Sequence, residues 1–173
     1  MMIPVELDDD MVQMVETQRL CYAATVGQGG IPNLSPKGTV RVWDKNHICF
    51  CDIASPGTIK NIQANSWVEL NVVDILSRRG YRFLGKGSVH RNDDVFMNVT
   101  NRIFKEEEVT YSVQCVVLVK VLRALPIVSP GYEHVQDEFE MRELWKKRRK
   151  VFDGEFEKHI DQIGQFRAER QTK

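Results

Sequence analysis

Apolar and polar residues alternate along the chain from Leu34 to Trp43. Leu34, Pro36, Gly38, Val40 and Val42 take one side, and Ser35, Lys37, Thr39, Arg41 and Trp43 the other. A period of two marks a strand, because successive side chains leave opposite faces. The pattern predicts one long strand with Lys37, Thr39 and Arg41 on a single face. Asp44, Lys45 and Asn46 supply turn chemistry, and His47 to Asp52 reads as the returning strand. Ser55-Pro56-Gly57-Thr58 then breaks the pattern, and a helix runs from Thr58 to about Asn65.

The same reading extends in both directions. Asp8, Asp9 and Asp10 give a helix over roughly 8–18 its negative first turn. Cys21 to Val26 is a short apolar strand, turned by Gln28-Gly29-Gly30. Trp67 to Val73 and Tyr81 to His90 are strands, with Gly85 and Gly87 marking bulges or a tight bend. Between them lies a charged loop, where Arg78, Arg79 and Arg82 cluster around Gly80. Asn92, Asp93 and Asp94 cap a helix whose stripe is Val95, Phe96, Val99, Arg102 and Ile103. Val109 to Val121 is the longest apolar strand.

Six strands with mostly short connections predict a mainly β fold: a closed, six-stranded antiparallel split barrel with flanking helices. No series of strand-helix-strand units and no early GxGxxG loop supports a dinucleotide fold. Leu125 to Tyr132 reads as an irregular apolar segment, which sets a first domain at 1–132. The remainder, 133–173, reads as a charged helical extension, two helices separated near Asp153-Gly154, packed on the barrel or on a partner.

Composition narrows the function classes. The chain has 173 residues, 20.0 kDa and zero formal net charge, so nothing global draws it to nucleic acid or an anionic membrane. Lys146 to Lys150 is a dense basic run, but on a helix five consecutive residues surround the axis and form no single stripe. No apolar run approaches the roughly 20 residues that span a bilayer. MMIPVELDDDM lacks the basic start and apolar core of a signal peptide, so a cytoplasmic setting with reduced cysteines is expected.

Two readings of the chemistry follow from residue types. In the first, Lys37, Arg41, Ser55 and Thr58 surround a helix start and hold a phosphate-bearing ligand, with cations, hydroxyls and amides as donors. In the second, the same residues face water on a structural domain. His47, Cys49 and Cys51 alternate on one strand, but tetrahedral zinc needs about four ligands, and buried thiols fit better. His90 and His134 are within reach of a thiol in principle, yet the sequence offers no orienting third group for a Cys-His nucleophile.

The ordered set PNLSPKG, the turn Asp44 to Asn46, ICFCD, SPGTIKNI, VELNVV, GYRFLGKGSVH and the long strand from Tyr111 resembles the flavin-binding split-barrel proteins related to pyridoxamine 5'-phosphate oxidase. LPIVSPGY followed by a charged helix resembles an uncharacterised subgroup, and the likeness covers roughly residues 8–135. The resemblance implies an FMN-binding oxidoreductase that passes electrons to or from a small organic substrate. It also implies a homodimer with the flavin at the subunit interface. The cofactor residues it implies are Ser35, Lys37, Thr39 and Arg41 from the long strand, and Ser55, Thr58, Lys60 and Asn61 from the loop and helix. Arg82 would approach the flavin from the second chain. Arg41 is expected on the phosphate and Lys37 nearer the ring, where a cation stabilises the reduced flavin. The oxidase places Arg-Lys after the serine, whereas this chain has Pro56-Gly57, which argues against the vitamin B6 reaction. Arg167 and Arg170 match no substrate motif. A non-catalytic flavin sensor and a split barrel using F420 or haem stand as alternatives.

Overall fold

The computed structural model describes residues 3–108 and 110–150. Its strands are β1 (Cys21–Val26), β2 (Pro32–Lys37), β3 (Arg41–Asp44), β4 (His47–Asp52), β5 (Trp67–Asp74), β6 (Arg79–His90) and β7 (Cys115–Val128). The helices are α1 (Asp9–Gln18), α2 (Pro56–Ala64) and α3 (Asp94–Glu107). The strands form one seven-stranded sheet in the order β2-β1-β5-β6-β7-β4-β3, with antiparallel neighbours.

The expected six-stranded closed barrel is therefore corrected: the sheet has seven strands and does not close. The long strand read from Leu34 to Trp43 is two strands, β2 and β3, which lie at opposite edges of the sheet. Only Gly38, Thr39 and Val40 join them. Six strand spacings of about 4.8 Å would put the edges of a flat sheet nearly 30 Å apart. Four Cα steps of about 3.8 Å reach at most roughly 15 Å. The sheet is therefore rolled until its edges approach, yet among the described residues no ladder joins β2 to β3.

The break also changes parity. In β2, Ser35 and Lys37 turn inward while Pro32, Leu34 and Pro36 are exposed. In β3, Arg41 and Trp43 face outward towards α3, while Val42, with Val40 of the link before it, joins the inner core. Lys37 and Arg41 thus share neither a strand nor a face. The apolar side expected for Leu34 and Pro36 meets solvent, and the polar side enters the roll.

The inner core contains Ile48, Phe50, Leu70, Val72, Phe83, Val117 and Val119, closed by Val15 of α1 and by Ile59 and Ile62 of α2. A second core lies on the outer face, where Val99 and Ile103 of α3 cover Cys49, Cys51 and Val116. Asp8 caps α1 by accepting the Met11 N–H at 2.8 Å, and Asp93 caps α3 by accepting that of Phe96 at 2.9 Å. At Gly85 the backbones crowd so closely that a Cβ would fall 2.2 Å from the Lys120 carbonyl oxygen. β7 begins at Cys115, later than Val109, and its extended backbone continues through Leu125-Pro126-Ile127, which the sequence reads as irregular.

Residues up to 74 together with 79–127 form one compact unit. Residues 75–78 join residues 128–150 in a second. Within the second, residues 138–150 are helical, and the Tyr132 hydroxyl donates to the Ser77 carbonyl at 2.7 Å. The expected second tail helix, beyond Asp153-Gly154, and Arg167 and Arg170 lie outside the described residues. Among the described residues no helix is long and apolar enough to cross a membrane.

Candidate functional site

The seam between the two sheet edges holds a cavity of about 440 Å³. Ser35, Lys37 and Thr39 line it from the β2–β3 break, Ser55 from the entry to α2, and Glu107 and Tyr111 from beyond the seam. Lys37 is only 4% exposed, so its ammonium must be satisfied by protein. It donates to Ser35 Oγ at 2.6 Å and to Ser55 Oγ at 2.5 Å. Ser55 Oγ in turn donates to Asp52 Oδ1 at 2.6 Å, and the Ser55 N–H reaches the same oxygen at 2.9 Å. Burial pulls the Lys37 ammonium below the usual lysine range, while the Asp52 carboxylate pulls it back.

The start of α2 is built unusually. Pro56 sits in its first turn, where the missing N–H is no loss. Ser55 occupies the N-cap, but its hydroxyl makes no cap bond and is engaged with Lys37 and Asp52. The positive end of the helix is therefore not satisfied by its own cap side chain. Thr39 Oγ1 accepts the Cys51 N–H at 2.9 Å and ties the seam to β4.

The other expected cofactor residues go elsewhere. The Asn33 side-chain amide donates to Thr25 Oγ1 at 3.0 Å and to Thr58 Oγ1 at 3.1 Å, and that of Asn61 donates to Thr25 Oγ1 at 3.1 Å. This cluster fastens α2 to β1 and β2, and Thr58 is buried within it. Lys60 is exposed on α2. Arg82 pairs with Glu69 at 2.6 Å on the outer face of β5 and β6. Arg41 is fully buried, with its guanidinium on Glu106 at 2.9 Å, Glu107 at 2.6 Å and the Val40 carbonyl at 2.8 Å. Burial alone would raise the Glu106 carboxyl, but hydrogen bonds from Arg41 and Arg102 outweigh it and hold the group down at about 2.

Sequence reasoning missed Asp52, Asn33, Glu107 and Tyr111. Asp52 had a local signal, an acid three residues before Ser55 at a strand end. Glu107 and Tyr111 had none, because only the docking of α3 brings them to the seam. The Tyr111 hydroxyl donates to Glu107 Oε2 at 2.7 Å, and both residues border the cavity. The four cysteines are free and buried, and among the described residues no cluster could hold a metal ion. Burial pushes the Cys21 and Cys49 thiols up to about 12.

Residues 7–119 match the family of pyridoxamine 5'-phosphate oxidase. The chain belongs to that family. Solved structures share the fold. HupZ of Group A Streptococcus is 24% identical, with a TM-score of 0.64 over 70% of this chain and 94% of that one. A Lactobacillus delbrueckii protein described as a pyridoxamine 5'-phosphate oxidase is 25% identical, with a TM-score of 0.58 over 69% and 93% of the two chains. An FMN-binding protein from Syntrophomonas wolfei is 14% identical, with a TM-score of 0.60 over 71% and 87%. No curated protein matches the sequence. The fold is thus one that flavin-binding proteins share, and the resemblance read from the ordered strand motifs holds at the level of the family.

Proposed function

We propose that the protein binds FMN in the seam and works as a flavin-dependent oxidoreductase on a small organic electron donor or acceptor. The observation that carries this reading is the buried Lys37 ammonium between the Ser35 and Ser55 hydroxyls, at the start of α2 and open to the cavity. A phosphate needs a cation, hydroxyl donors and helix-start amides, and the donors present fit it. Asp52 and Glu107 are adverse charges near the cradle; Glu107 is paired with Arg41, and the attraction of Asp52 offsets part of the burial that lowers the Lys37 ammonium. Arg41 is engaged by α3, so the phosphate role passes from Arg41 to Lys37. When bound, the flavin supplies the redox chemistry, and the chain supplies position and charge.

The functional unit is a homodimer. The outer face of β1, β2 and β5 carries Tyr22, Val26 and Leu34, which are exposed, and among the described residues of this compact unit no helix covers it as α3 covers β4 and β7. An apolar sheet face rimmed by the Glu69–Arg82 pair suits a self-complementary contact.

The test is a titration of FMN into apoprotein, followed by calorimetry and flavin fluorescence, with Lys37→Met beside the parent. The variant is expected to bind FMN at least tenfold more weakly, as loss of one charge-assisted bond of about 1.5–3 kcal/mol requires. A parent protein that takes up no FMN refutes the reading, and equal affinities remove Lys37 from it.

A further inference from the structure

The geometry points to a second reactive site, independent of the flavin reading: Ser88, His90 and Asp93 form a hydrolytic triad that cleaves small, unhindered carboxylic esters. Ser88 and His90 lie two apart at the end of β6, so both side chains leave the same face of the strand. Ser88 Oγ lies 2.8 Å from His90 Nε2, and His90 Nδ1 lies 2.8 Å from Asp93 Oδ2. This is the nucleophile, base and orienter sequence of a hydroxyl-activating site.

The tautomer follows from the partners. A carboxylate only accepts, so the proton between His90 and Asp93 sits on Nδ1. In the neutral ring Nε2 is then an acceptor, and it faces the Ser88 hydroxyl. Asp93 is itself fixed, because its other oxygen, Oδ1, accepts the Phe96 N–H at 2.9 Å and caps α3. That backbone bond, with His90, holds the Asp93 carboxyl below the usual range and therefore ionised. Ser88 has a second acceptor, the Leu118 carbonyl at 3.3 Å, which is the longer of the two contacts. Ser88 is exposed, while the His90 side chain is only 22% exposed, so the nucleophile is open and the base sheltered.

A donor for the oxyanion is available beside the nucleophile. The last β5–β6 pairing is Trp67 with Lys86, and the Gly87 N–H reaches the Ser66 carbonyl at 2.7 Å. Strand alternation aims the Val89 N–H at the same edge, past the start of β5. An N–H from the residue after a nucleophile is a recurrent oxyanion donor. The step balances without a further reagent. Ser88 Oγ bonds to the ester carbonyl carbon as its proton passes to His90 Nε2. The ester C–O bond breaks, and the alkoxide leaves with that proton as an alcohol. Water then displaces the acid from Ser88 by the reverse proton path.

The test uses the purified full chain, a fluorophosphonate probe read by intact-mass and peptide mass spectrometry, and p-nitrophenyl acetate as substrate. The expected result is one adduct on Ser88, ester turnover abolished in Ser88→Ala, and labelling slowed at least 100-fold in His90→Gln. Asp93→Asn separates chemistry from structure. Asparagine caps a helix as well as aspartate, so thermal stability should hold, but an amide that donates to Nδ1 favours the wrong tautomer and labelling should slow at least tenfold. No adduct, an adduct on another residue, or equal labelling of the parent and the His90 and Asp93 variants overturns the proposal.

Discussion

Arg41→Leu is the most informative single change in the scaffold. It keeps apolar bulk under α3 and removes the charge shared by Glu106 and Glu107. Breaking a buried ion pair costs about 3–5 kcal/mol when a fully buried charge is left behind. Here the carboxylates left behind are 26% and 21% exposed and keep Arg102 and the Tyr111 hydroxyl as partners, so part of the loss is recovered and about 2–3 kcal/mol is expected at neutral pH. At a urea slope of about 2 kcal/mol/M this moves the unfolding midpoint down by roughly 1–1.5 M. The loss should depend on pH. The Glu106 carboxyl is depressed in the fold from 4.5 to about 2. A depressed carboxyl contributes stability above its unfolded pKa and loses it as pH falls through the folded value. The full displacement is worth ~3 kcal/mol, and Arg102 supplies part of it, so the Arg41 share is about 1–2 kcal/mol after solvent screening. The gap between parent and variant should therefore narrow between pH 4.5 and 2. Urea melts at neutral and acid pH, read by tryptophan fluorescence, measure both quantities. A gap that stays constant with pH, or no loss at neutral pH, refutes the account of Arg41 as the anchor of α3. FMN affinity of the folded variant should fall less than tenfold; a larger fall would return Arg41 to the phosphate.

Two further outcomes are expected. Leu34→Glu places a charge at the centre of the exposed β1–β2 face and should convert a dimer near 40 kDa, twice the chain mass of 20.0 kDa, to a monomer by light scattering; a parent that is already monomeric at micromolar concentration removes the interface. The buried cysteines, with Cys21 and Cys49 pushed up to about 12 by burial, should react with a thiol reagent only as the protein unfolds; rapid modification of the native protein would contradict their packing.

Much of the chain was legible because it is locally consistent. The charge of Asp8 to Asp10 marks the start of α1, where Asp8 proves to be the cap, Asp93 announces α3 as its cap, and the strand read from Trp67 to Val73 is β5, with alternating burial. Pro126 argued for an irregular segment because proline removes a ladder donor. The structure tolerates it at the far end of β7, beyond the pairing with β4 that ends at Lys120. The acids that hold Arg41 were not legible. Glu106 and Glu107 sit on a helix end, where acids usually face water, and only the position of Arg41 beneath α3 explains their placement.

The deepest error in reading the sequence concerns Gly38, and it shows how the seam arises. An unbroken strand from Leu34 to Trp43 keeps Lys37 and Arg41 on one face, because residues four apart share parity. In the structure the chain leaves one edge of the sheet after Lys37 and joins the opposite edge at Arg41. Periodicity cannot reveal this, since the two halves alternate equally well on either side of the break. The consequence is chemical. Lys37 turns into the roll and must find partners there, which Ser35 on β2, Asp52 at the end of β4 and Ser55 at the entry to α2 provide. Arg41 turns outward and is neutralised by α3. Had the strand run straight, two cations would share one face and repel each other. The break separates them, one charge holding a helix and the other facing a cavity with hydroxyls beside it. A closed barrel would fill that seam with a ladder of backbone hydrogen bonds. The open edge leaves the space in which a phosphate can meet Lys37.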